Sequence, residues 1–242
     1  MCGRLERVSA KFGAAGLFSL LLLSATPDTN PDQARVIESM MNATAARFDK
    51  VLAYSRMQRY SAVDDRFGLK AEMLARVHYD HATGKTYEII SSSGSPLIQS
   101  RVFEALLREE VETSKLLTHE GGLLTTHNSF RLAGRDAFAG HRCYLVELNP
   151  RRRDKHLIVG RAWVDMEDYG FVHIEGRTAD SLSLWIGKPL ITQDFEMLSR
   201  FWFASRRHSV MNGFLIGPAE LTVEYSDYQI RLKTETTAPP NH

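Results

Sequence analysis

The sequence predicts a mainly β chain with two or three helices, an α+β fold in which a curved antiparallel sheet carries helices on its concave face. Two observations predict it. Two amphipathic helical stripes occupy the first half, whereas nearly everything after Asn128 is rich in β-branched and aromatic residues and punctuated by turn residues. The plainest β signal is Gly160–Gly176, G-R-A-W-V-D-M-E-D-Y-G-F-V-H-I-E-G, in which two apolar runs flank the polar turn Asp165-Met166-Glu167-Asp168.

The amino terminus comes first and is of a different kind. Arg4, Arg7 and Lys11 precede an apolar run from Phe12 to Leu23, and the small residues Ser24 and Ala25 follow. That is the layout of a secretory signal peptide, residues 1–25, and the run is short for a bilayer-spanning helix. An uncleaved anchor in the inner membrane is the alternative. Removing it takes the formal charge from +1 to −1, which offers no general electrostatic attraction for nucleic acid. Of the two cysteines only Cys143 would remain, so no internal disulfide is available, and its setting Cys143-Tyr144-Leu145-Val146 suits a buried small hydrophobe. A 43% apolar, 24% charged composition is that of a globular protein.

Residues 26–33, with two prolines, read as a linker into a first helix capped by Asn30 or Asp32. Val36, Met40, Ala43 and Phe48 mark its apolar stripe, with Ile37, Met41 and Thr44 beside them. The methionines either fill gaps in a core or face a greasy ligand. Lys50–Tyr60 and Gly68–Tyr79 alternate as strands around a turn at Asp64-Asp65, and Lys85–Ile90 is a third strand. Ser91–Pro96 reads as the most flexible internal segment, and a second helix follows from Pro96 to Leu117. The later strands are Phe130–Leu132, Arg142–Leu148, Leu157–Val164, Phe171–Thr178, Ser181–Ile186, Ile191–Phe203, Val210–Ile216 and Leu221–Gln229. Arg206-Arg207-His208 reads as a turn between them. Residues 34–233 form a single domain and 234–242 a disordered tail.

The chemistry-bearing constellations are thin. His78-Tyr79-Asp80-His81 is the most metal-like, but on a strand entering a turn its imidazoles point to opposite faces, so no metal or cofactor is expected. No serine lies in a G-x-S-x-G turn, and the acids of the Asp165–Asp168 tip are solvated turn residues. An enzyme is not expected. The one dense basic cluster is Arg151-Arg152-Arg153 with Lys155, which is either a solvated loop or a contact for lipid headgroups or an acidic partner.

In the second half Gly140-His141-Arg142-Cys143-Tyr144 leads to Leu148-Asn149-Pro150. Ala162-Trp163-Val164-Asp165 with Asp168-Tyr169, Ile174-Glu175-Gly176 and Phe201-Trp202-Phe203 follow in order. With these residues the chain resembles the outer-membrane lipoprotein-sorting family, the LolA-like periplasmic carriers, and related lipid-handling envelope proteins of the same fold. Ala204 stands where such domains often carry proline. The resemblance implies an open half-barrel whose helices form a lid over a cavity for acyl chains. Its lining would come from Trp163, Phe171, Ile174, Trp185, Phe195 and Phe201, with Met73 on the sheet and Met40 and Met41 on the lid. It further implies a monomer in the periplasm. The partner would be a lipid or lipoprotein acyl chains or, alternatively, an envelope membrane protein met through Arg151, Arg152 and Arg153.

Overall fold

The structure is a computed structural model and describes residues 31–120, 127–181, 187–213 and 217–233. The first helix, α1, spans Pro31–Lys50. Proline at the first helical position, Asp32 in the first turn, and Arg47 and Lys50 in the last suit the helix's electrostatic ends. It begins within the expected linker, because proline opens a helix as readily as it interrupts one. Val36 and Met40, one turn apart, are its buried residues.

Ten strands follow: β1 Val51–Asp64, β2 Leu69–Asp80, β3 Gly84–Gly94, β4 Asn128–Phe138, β5 His141–Pro150, β6 Ile158–Asp165, β7 Phe171–Thr178, β8 Leu190–Leu198, β9 Phe201–Gly213 and β10 Gly217–Leu232. They form one open sheet in the order β3-β2-β1-β10-β9-β8-β7-β6-β5-β4. Every pairing is antiparallel, and β1 joins β10, so the first and last strands meet inside the sheet. The fold is thus the predicted one: mainly β, a curved, open antiparallel sheet with helices on one face.

Local chemistry explains most of the elements. Asp64 ends β1 by accepting amide hydrogen bonds from Arg66 (3.0 Å) and Phe67 (3.2 Å). Asp165 does the same in the β6–β7 hairpin, accepting from Glu167 at 2.7 Å and Asp168 at 3.3 Å. In that hairpin Gly160 faces Gly176, and a Cβ on Gly160 would lie 2.0 Å from the Glu175 carbonyl oxygen. Gly160→Ala is therefore expected to cost about 1–3 kcal/mol, since the obstructing atom is backbone. Urea denaturation alongside Val159→Ala, at an exposed neighbour, would show the difference.

Four expectations are corrected. Ser91-Ser92-Ser93 is not a loop but the end of β3, paired with Leu74, Met73 and Glu72, because a partner strand satisfies its backbone despite weak β propensity. The second helical run is divided into α2 (Pro96–Ile98), a π-helical turn (Gln99–Phe103) and α3 (Glu104–Glu120). The single strand expected over Ile191–Phe203 is two, turning at Ser199 and Arg200, both with positive φ (50° and 73°). Arg206-Arg207-His208 is no turn but the middle of β9, paired on both sides. The expected strands Ser181–Ile186 and Val210–Ile216 fall partly outside the described residues. The segments 1–25 and 234–242 fall wholly outside them. No helix among the described residues is long and apolar enough to cross a membrane.

Strand alternation separates two faces. On the inner face α1 covers Tyr144, Val146, Leu148, Ala162, Val164, Phe171 and Ile174 with Val36 and Met40. The π-turn and α3 cover the other wing, where Ile98, Phe103 and Leu107 pack on Tyr60, Met73, Val77, Met211 and Val223. Between them lies an aromatic group of Val51, Tyr54 and Phe203 with Tyr79, Phe201, Tyr228 and Leu232. The alternate residues Cys143 and Trp163 point to the outer face and meet Val172 and Trp202.

Candidate functional site

The inner face is charged at its centre. Alternation along β1 turns Tyr54, Arg56, Gln58 and Tyr60 inward, and α3 sets Glu110 against them. Its Oε1 accepts from Arg56 Nη2 and from Lys85 Nζ of β3, each at 2.7 Å. Gln58 Nε2 reaches both oxygens at 3.2–3.3 Å. Tyr60 donates to Gln58, and Arg56 donates to the Tyr228 hydroxyl at 2.9 Å. The Arg56 guanidinium also lies 4.4 Å from the centre of the Tyr225 ring.

Burial alone would raise the Glu110 carboxyl. The Lys85 and Arg56 charges and the hydrogen bonds to it overcome that and hold it at about 2. Burial likewise opposes the charge on Arg56, and Glu110 more than compensates, raising it well above its ordinary value. Burial and the neighbouring Glu110 charge push Tyr60 upward, so its hydroxyl stays a neutral donor. These groups pin α3 to the sheet rather than activating a nucleophile.

The outer face carries a second polar-aromatic group. Trp163 Nε1 donates to Asp136 at 2.9 Å and Trp202 Nε1 to Asp168 at 2.9 Å. His173 Nδ1 lies 2.6 Å from Asp194, and His141 Nδ1 lies 3.0 Å from Asp165. Phe138 stacks on His173 with centroids 4.1 Å apart. A depression of about 410 Å³ is lined by Phe138, His141, Val172, Asp194, Phe195 and Trp202, among others. Sequence reasoning missed these pairs, whose members lie 21 to 34 residues apart with no local motif joining them.

The expected cavity residues are dispersed. Met40, Phe171 and Ile174 meet under α1, with Phe195 half-buried at the edge of the same cluster. Met73 is buried in the other wing, beneath the π-turn and α3. Phe201 belongs to the aromatic group between the wings. Two expectations are corrected. Met41, 38% exposed, turns to solvent because one helical step from buried Met40 rotates it off the packed stripe. Trp163 lies on the face away from α1, since Ala162 and Val164 on either side of it point inward. Trp185 lies outside the described residues.

Arg151, Arg152 and Arg153 are exposed in the β5–β6 loop, with Arg152 paired to Asp154 at 2.9 Å. The same loop reaches α3, where Glu109 accepts from Lys155 at 2.6 Å and lies 3.3 Å from His156. Cys143 is fully buried, and burial raises its thiol. His78 points outward on β2 while His81 packs on Phe48, and among the described residues no cluster has the makings of a metal site.

No protein-family model matches the chain, and no curated protein does. Among solved structures it is similar to a domain assigned to outer membrane lipoprotein sorting from Vibrio parahaemolyticus (12% identity, TM-score 0.47, 86% of this chain and 94% of that one). It is also similar to a LolA superfamily protein from Nitrosomonas europaea (12%, 0.43, 81% and 93%). A third is a DUF1329 family protein from Desulfovibrio piger (12%, 0.43, 84% and 95%).

Proposed function

We propose that this is an exported, periplasmic binding or carrier protein that holds a lipid, or the acyl chains of a lipoprotein, against the inner face of its sheet. One observation carries the reading. The helices cover that face in two separate patches, and between them the partly buried Leu198, Phe201, Ile230 and Leu232 flank the buried Tyr54 and Phe203. An acyl chain laid there gains about 0.8 kcal/mol per methylene buried and needs no further chemistry. Phe201 is the proposed contact there, Met40, Phe171, Ile174 and Phe195 are the proposed contacts where the chain runs on beneath α1, and the two helices are the lid.

Protein purified from its native envelope should carry lipid in native mass spectrometry and release it to a fluorescent fatty acid. Absence of both copurified lipid and fatty-acid binding would sink the reading. The loop contacts favour a second one, an envelope interaction module for a membrane-protein partner. Arg151 and Arg153 form no ion pair among the described residues, while the neighbouring Lys155 holds α3. Reversing Arg151, Arg152 and Arg153 to Glu would abolish partner capture and spare lipid binding under that reading. The carrier predicts the opposite.

A further inference from the structure

At the centre of the inner face Arg56 and Lys85 flank one carboxylate, Glu110, and the partly buried Arg47 of α1 lies beside them. Arg56 and Lys85 share Glu110, but Arg47 of α1 has no such partner. Its guanidinium sits 4.5 Å from the centre of the Phe203 ring. Its Nε is sealed from solvent without a hydrogen-bond partner, and the guanidinium forms no ion pair among the described residues. Burial lowers its proton affinity, and the nearby groups are the hydroxyls of Tyr54 and Tyr228 and the like charge of Arg56. A cation with a sealed, unpaired nitrogen is costly unless something negative meets it.

The neighbouring surface has the same sign. Lys50 follows Arg47 by three residues, so both lie on one side of the last turn of α1. Lys50, Ser199, Arg200, Phe201, Leu232 and Lys233 line a depression of about 510 Å³. Among the described residues no carboxylate lines it, and Arg200 and Lys233 form no ion pair there. Phe201 and Leu232 belong to the same apolar group as Phe203, which joins the depression to Arg47. Ser199 and Arg200 hold positive φ without being glycine, a strained turn that sets Arg200 at the rim.

We infer that this depression binds the anionic group, a carboxylate or phosphate, of a single-chain amphiphile whose chain runs over Phe201 and Leu232. Arg200 and Lys233 hold the charge, and Arg47 supports it from behind Phe203. The inference rests on the lipid-binding reading and adds to it a polarity: the head sits where α1 ends, and the chain extends inward.

Calorimetry on the purified protein with palmitate, hexadecyl phosphate, hexadecanol and inorganic phosphate tests it. Both anionic amphiphiles should bind about tenfold or more tightly than the alcohol, the scale of one charge-assisted hydrogen bond. The surface double variant Arg200→Ala/Lys233→Ala should erase that preference and leave hexadecanol unchanged, with circular dichroism confirming the fold. Arg47→Gln should act in the same direction. Equal affinity for acid and alcohol, or a preference that survives the double variant, overturns the inference and leaves the carrier reading standing. Inorganic phosphate that binds alone and suppresses the preference makes the occupant a free anion and overturns the amphiphile. Failure of every amphiphile to bind defeats both readings.

Discussion

Glu110→Gln is expected to destabilise the protein by about 3–5 kcal/mol, the range for removing one partner from a buried ion pair. Arg56 and Lys85 both rely on this carboxylate, at 2.7 Å each, and their side chains are only 8% and 19% exposed. The amide that replaces it preserves shape and leaves two cations facing one another. The native carboxyl titrates at about 2, below its ordinary 4.5. Its contribution is therefore complete above the ordinary value and fades as the pH falls from about 5 toward 2. Urea denaturation at pH 7 and pH 3 should show a loss on acidification that Glu110→Gln largely removes, because the variant has no carboxyl to protonate. An unchanged midpoint at pH 7 would show that the network contributes little. Replacing Arg56, Lys85 and Glu110 together with methionine is expected to be far milder than the single change, since no charge is left stranded.

Phe103→Ala is expected to cost a similar amount, about 3–5 kcal/mol, by opening a cavity in the other wing. Phe103 is 0% exposed, closes the π-helical turn and lies 5.5 Å from the Tyr60 ring. It anchors the entry to α3 as Glu110 anchors its middle. Hydrogen exchange should show α3 losing protection before the β5–β8 ladder does. The two substitutions should not add, because each releases the same helix and the second finds it already loosened. Equal loss of protection in β6 and β7 would mean that the two wings unfold as one unit.

How much of this was legible in the sequence depended on whether a signal was local. The β6–β7 hairpin was readable because Asp165 and Gly170 sit beside the runs they connect, and β7 was placed at its observed limits, Phe171–Thr178. The Ser199-Arg200 turn was not, since neither residue is one that ordinarily takes positive φ. Alternation predicted two faces, but the side assigned to Trp163 came from its bulk, and bulk alone does not choose a face. The Arg56–Glu110–Lys85 network was invisible because its members lie on β1, α3 and β3. Each looked like an ordinary surface charge in its own neighbourhood.

The open sheet has one more consequence. A strand order that begins at β3 and ends at β4 leaves two rims where backbone amides and carbonyls have a neighbour on one side only, the geometry through which sheets of separate molecules zip together. Both rims are irregular. β4 is kinked where its register slips between Leu132 and Gly134, and its outer half bears Arg135 and Asp136. The register of β2 with β3 slips at Leu74–Ala75, and β3 then ends in serines and a glycine. A second copy approaching either rim meets a bent ladder that its own straight strand does not match. The irregularities that look like flaws in the sheet make each rim a poor template for a further strand.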